Sequence, residues 1–242
     1  MSYIFREHIK QSLAVIAFLI TLTACTSESY DAGDGPNSYL TADLVLLHTS
    51  QDKSVRSALL DDGTTLQFSN PFAQDWLTRP DSVYRALLYY DKTVAASDAA
   101  APNPTATSIV RARSVRPVSV LRPVEAEDME TLRTDPVGFE SLWMSKNKSY
   151  INLSLLLKSG KTEADDALHA LGIVSHGTTT DADRRRTLHL TLYHDQGGVP
   201  AYYTVQQYVS IPTQLLEEAD TVELTINTYN GKKVVKVAVS NL

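Results

Sequence analysis

Histidine is the side chain best suited to hold a metal or move a proton near neutral pH, and this 242-residue chain has six. His189 and His194 are five residues apart in a stretch that reads as a strand. Alternation therefore sends them to opposite faces, where they cannot clamp one metal ion. His169 and His176 are opposed in the same way. His194, beside Asp195 in a turn, is expected to donate to backbone. Carboxylates gather at Asp61-Asp62, Asp165-Asp166, Asp181 and Asp183, all in turn or loop contexts where solvated acids are the rule. A nucleophile elbow of the form GxSxG and a glycine-rich phosphate cradle are both missing from the sequence. The expectation is a non-enzyme with no catalytic residues, no metal site and no cofactor.

Two other sets suit binding. Arg111 and Arg113 share one face of an expected strand, with Arg116 close by. Such a row fits an anionic ligand or an acidic partner, and equally well guards an edge strand against aggregation. Tyr202, Tyr203 and Tyr208 fall in one extended stretch. Alternation puts Tyr203 with Val205 and Val209 toward a core and leaves Tyr202 and Tyr208 on the other face, where exposed rings can stack on sugars.

The one cysteine, Cys25, follows an uncharged ten-residue run, Leu13 to Leu22, that is preceded by Arg6 and Lys10. The run suits an export signal and is too short for a membrane span, which needs about 20 residues. A disulfide lacks a second thiol in the chain. A catalytic thiol needs a rigid pocket and a base, whereas Cys25 borders a disposable segment. The order Leu22, Thr23, Ala24, Cys25 resembles the lipobox of bacterial lipoproteins. That resemblance implies a signal peptide over 1–24, cleavage before Cys25 and palmitate-type acyl chains on it. At about 0.8 kcal/mol per buried methylene, two or three chains make attachment to the membrane effectively permanent. Residues 25–38, "CTSESYDAGDGPNS", then form a lipidated flexible tether.

The elements that must carry these residues are strands. Without residues 1–24 the chain has 20 Lys and Arg against 27 Asp and Glu, a net charge of −7 that disfavours nucleic acid. Twelve tyrosines and abundant Val, Leu and Thr favour β structure. Residues 39–123 contain five or six short strands, which suits a small closed barrel. Within them, Asp62-Gly63 reads as a hairpin turn, and Ser82 to Asp91 is apolar on both faces, as in the middle of a sheet. Residues 124–135 are charged and read as a linker. Residues 136–242 contain six or seven strands and suit an antiparallel β-sandwich. Ile151, Leu153, Leu155 and Leu157 alternate with Tyr150, Asn152, Ser154 and Leu156, the pattern of a half-buried strand. Pro212 opens a short helical crossing, and Asn230-Gly231 suits a type I′ hairpin turn.

"GDGPNSYLTADLV", "LLDDGTTL" and "PDSVYRALLYYD" resemble the first domain of NigD-like lipoproteins. "DPVGFESLW", "YINLSLLL", "LTLYHDQGG", "YVSIP" and "DTVELTI" resemble the second. The resemblance runs from about Gly33 to the C-terminus. It implies an all-β protein, an OB-like barrel followed by a β-sandwich, held by lipid in the cell envelope of a Bacteroidota bacterium, at the outer membrane. It brings no catalytic residues. The family takes its name from a bacteriocin gene cluster, which points to secretion or immunity through an envelope partner. The alternative is a glycan-binding accessory of a surface uptake system. The Ala-rich stretch at 95–107 departs from the family pattern. "DSV" and "DTV" resemble O-glycosylation triplets of exported Bacteroidota proteins, which implies Ser82 and Thr221 at exposed strand starts.

Overall fold

The computed structural model describes residues 40–92, 108–161, 168–216 and 219–239. The expected signal peptide over 1–24, Cys25, the expected tether over 25–38, the 95–107 stretch and Asp165-Asp166 lie outside the described residues.

Five strands, β1 (Leu40–Thr49), β2 (Val55–Leu60), β3 (Thr65–Phe72), β4 (Val83–Lys92) and β5 (Ser108–Pro117), close into a barrel in the order β1-β2-β3-β5-β4. Every neighbouring pair is antiparallel except β3 with β5. The expected OB-like barrel is thus present, and closure removes the exposed edges that an open sheet would leave. Val45 and Leu47 of β1 and Ala86, Leu88 and Tyr90 of β4 point inward to a common core. The β2–β3 hairpin closes on Gly63, whose φ of 88° and hydrogen bond to Leu60 O at 3.0 Å need the freedom of glycine.

The rest of the chain builds two stacked sheets. From β6 (Ser119–Val120), β7 (Pro123–Glu125), β8 (Gly138–Met144), β9 (Tyr150–Ser159), β10 (Ala170–Thr180), β11 (Arg186–Asp195), β12 (Tyr203–Pro212), β13 (Thr221–Thr228) and β14 (Gly231–Ala238) come the orders β14-β13-β11-β10-β7 and β6-β12-β9-β8. Ile151, Leu153, Ile173, Leu190, Val209 and Leu224 form the core between them. The sandwich is mixed rather than antiparallel, because β7, β11 with β13, and β6 pair in parallel. After β11 the chain crosses to the other sheet as β12, makes a 3-10 turn at Thr213–Leu215 and returns beside β11 in the same direction. The sandwich also starts earlier than expected. Residues 119–125, assigned above to the barrel and the linker, lay one short strand on the edge of each sheet. Pro123 begins an edge strand, where its missing N–H leaves no ladder bond unmade.

Two local expectations change. Asn230 does not take the positive φ of a type I′ turn. Thr228 pairs with Gly231, and Gly231 alone is left-handed, at φ 101°. β9 is not half-buried. Asn152 and Ser154, on its polar face, are as buried as the leucines on the other. The described residues from Leu40 onward belong to one compact unit, and the barrel covers that polar face.

Candidate functional site

The barrel meets the four-stranded sheet through one buried cation. Arg85 points out of the barrel from β4, its side chain only 1% exposed. Nη1 and Nη2 donate to the two carboxylate oxygens of Asp61 at 2.6 and 2.7 Å. Nη2 also reaches Asn152 Oδ1 at 3.1 Å and Nε reaches Ser210 Oγ at 3.2 Å, both in the sandwich. Asn152 Nδ2 donates back to Asp61 at 3.2 Å, and Ser210 Oγ donates to Asn152 Oδ1 at 2.7 Å. The guanidinium lies 4.3 Å from the centroid of the Tyr150 ring. A buried charge is tolerable only when its polar atoms are satisfied, and here the partners come from both domains. Asp61 is therefore no solvated turn acid.

Beside this lock Leu44, Leu87 and Val118 of the barrel side pack against Trp143 and Tyr208 of the sheet. The two rings meet edge to face, with centroids 6.2 Å apart at 83°. They form one wall of a cleft of about 360 Å³, whose lining includes Asp43, Asp62, Tyr89 and Met144. Clefts at domain seams are favoured ligand sites. Hydrogen bonds from the backbone and hydroxyl of Thr64, and after them the charge of Lys146, hold the carboxyl of Asp62 below the usual range. Asp43 Oδ2 accepts the Tyr90 hydroxyl at 2.8 Å. Burial and that bond push the Tyr90 phenol up, so it stays a donor. Ionised acid and aromatic faces thus line the same space.

Of the residues singled out for binding, Tyr208 alone joins this cleft, while Asp61 and Asp62, expected to be solvated turn acids, line it as well. Tyr202, 78% exposed, stands apart from it, so the two do not make one platform. Tyr203 and Val205 are exposed rather than core, because this end of β12 extends past the packed part of the sheet. Arg111 is exposed, while Arg113 pairs with Asp91, which breaks up the expected arginine row. Ser82 and Thr221 sit at strand starts but are half-buried, and Ser82 Oγ donates to Pro80 O at 2.8 Å. Asp181 Oδ1 caps its own loop, accepting from the backbone N–H groups of Asp183 and Arg185, each at 2.9 Å. Among the described residues, no three His, Cys, Asp or Glu side chains converge as metal ligands would.

A second polar cluster lies in the sandwich. His194 is 1% exposed and belongs to β11 rather than a turn, although its Nδ1 does donate to backbone, to Asp135 O at 3.0 Å. With that proton placed, His194 Nε2 must accept, and His169 Nδ1 at 3.0 Å is its donor. The rings stack at 5.2 Å. His169 Nε2 is buried without a partner among the described residues.

The lock escaped the sequence reading. Its signal is a polar residue set inside an apolar run: Arg85 in "VYRALLYY", Asn152 in "YINLSLLL" and Ser210 in "YVSIP". With Asp61 in "LLDDGTTL", all four fall within the segments on which the family resemblance rests.

Residues 120–239 match the NigD-like C-terminal beta sandwich domain. No curated protein matches the chain. Among solved structures it is similar to a NigD-like immunity protein from Bacteroides caccae ATCC 43185, with a TM-score of 0.58, 23% identity and coverage of 81% of this chain and 91% of that one. A candidate lipoprotein from Bacteroides fragilis NCTC 9343 has a TM-score of 0.57 at 13% identity, covering 84% and 98%. A candidate toxin-related protein from Parabacteroides distasonis ATCC 8503 has a TM-score of 0.51 at 19% identity, covering 82% and 92%. At these identities the likeness is one of fold.

Proposed function

Because the chain belongs to the NigD-like family, we propose that it is a non-catalytic, lipid-anchored protein of the cell envelope, at the outer membrane, that holds a partner in the cleft between barrel and sandwich. The Arg85 lock carries this reading. It fixes walls contributed by two domains in one geometry, and a preformed concave site loses little ordering entropy on binding. The lipobox-like "LTAC" supports the anchor, and a candidate lipoprotein from Bacteroides fragilis has this fold. A NigD-like immunity protein and a candidate toxin-related protein have it too, which supports a place in bacteriocin immunity or secretion. The glycan-binding alternative rested on Tyr202 and Tyr208 acting as one platform, and that motive is gone.

Two measurements test the proposal. Mass spectrometry of native protein should find a chain that begins at an acylated Cys25, and Cys25→Ala should move the protein to the soluble fraction. An uncut N-terminus with a free thiol would refute the anchor. Photo-crosslinking in whole cells from position 144, in the cleft, should trap a defined partner that crosslinking from exposed Val234 does not. Identical patterns from both positions would remove the cleft from the reading.

A further inference from the structure

We infer that the cleft receives the basic side chain, lysine or arginine, of an extended peptide; this rests on the cleft being the partner site proposed above. The electrostatics select the sign. Of the three carboxylates lining it, Asp61 is already neutralised by Arg85. Asp62 is held ionised and faces Lys146. Asp43 has a neutral phenol as its hydrogen-bond partner and, among the described residues, no cation. Lys146 lines the cleft too, so the carboxylate there without a cationic neighbour among the described residues is Asp43, which an anion would oppose and a cation would complement.

The aromatic residues select the shape. Trp143 and Tyr208 stand nearly perpendicular, so they form a corner and not the flat platform on which a sugar ring stacks. An aromatic corner in a cleft that also holds a carboxylate suits a cation on an apolar stem, whose charge is drawn to ring faces while its methylenes pack beside Leu44 and Leu87. The same protein already makes such a contact internally, between Arg85 and Tyr150.

Continuity selects a peptide over a lone amine. Leu87, Tyr89 and Tyr208 also line a second groove of about 220 Å³, which continues past Arg116 to Val205 and Gln206 on β12. There, among the described residues, the edge of β12 is open, since β6 pairs only with Val209 and Ser210. An extended chain with its basic side chain in the cleft has room to run along that edge, where strand addition supplies backbone hydrogen bonds. Arg116 suits an acidic group further along.

The test uses the full chain and three labelled pentapeptides, glycine apart from a central lysine, acetyl-lysine or glutamate, with n-butylamine as the small-amine arm. Trp143, in the cleft, is one of two tryptophans and reports binding by fluorescence. The lysine peptide should bind in a salt-sensitive way. Acetylation, Asp43→Asn or Asp62→Asn should each weaken it at least tenfold, with the thermal melt unchanged for both variants. Arg116→Ala should leave the response to n-butylamine unaltered. Equal binding of the acetylated or glutamate peptide at Trp143 would overturn the cation while leaving the cleft as the site. Butylamine binding as tightly as the lysine peptide would overturn the peptide. No Trp143 response to the lysine peptide at millimolar concentration would overturn the inference outright.

Discussion

Arg85 Nη2 lies 3.1 Å from Asn152 Oδ1 and joins the barrel to the sandwich across 67 positions of sequence. Removing the cation takes a donor from three partners, Asp61, Asn152 and Ser210, at once. Arg85→Ala should destabilise the fold by about 3–5 kcal/mol, since it leaves the Asp61 carboxylate uncompensated and Asn152 short of a donor. Replacing Arg85 with Met and Asp61 with Leu together should recover most of that loss, because exchanging a buried pair for apolar groups is often close to neutral. Urea titration of the three proteins decides it. A double variant as unstable as Arg85→Ala would mean that the pair contributes more than mutual neutralisation.

His169 makes stability depend on pH. Burial first, and then the charge of His194, lower its pKa from the ordinary 6.5, while a weaker backbone contact with Lys158 works the other way. With the folded pKa below the unfolded one, the unfolded chain binds more protons between the two. The contribution of His169 is therefore fully present above about pH 6.5 and is lost as pH falls through the folded pKa. Thermal melts between pH 7.5 and 5 should show a decline that His169→Asn makes shallower. An unchanged pH profile in that variant would contradict the assignment.

Two glycines, one in each sheet of the sandwich, should respond oppositely to a methyl group. A Cβ on Gly138 would lie 2.7 Å from Leu156 Cβ, across the β8–β9 pair, so Gly138→Ala forces strand backbone to move and should cost about 1–3 kcal/mol. A Cβ on Gly172 would meet Tyr193 at an ordinary 3.6 Å, so Gly172→Ala should be neutral or stabilising by up to about 1 kcal/mol, through a less flexible unfolded chain. Chemical denaturation of both variants checks the contrast.

Most strands were readable because each is a local event. Ile151, Leu153, Leu155 and Leu157 declare a core face by alternation, and Gly63 declares its turn by the φ it alone tolerates. The parallel pairings were not readable, since nothing in β11 or β13 says which strand lies beside it. Of the cleft, only Tyr208 was legible as a binding residue and Asp61 and Asp62 only as turn acids, because Trp143 is 65 positions away and reaches the Tyr208 ring across β9.

What this sequence determined alone is the sequence of faces: which residue of each strand looks toward a core, where the chain turns, and which order of segments marks the family. Only the tertiary structure decided what covers the polar faces. Period-two alternation distinguishes the two sides of a strand but carries no information about their partners. Thus the strand of Asn152 reads as half-buried, and Asn152 and Ser210 are buried because the barrel brings Arg85 and Asp61 against them. Such contacts are fixed by the summed packing of the whole chain, Arg85 and Ser210 being 125 positions apart.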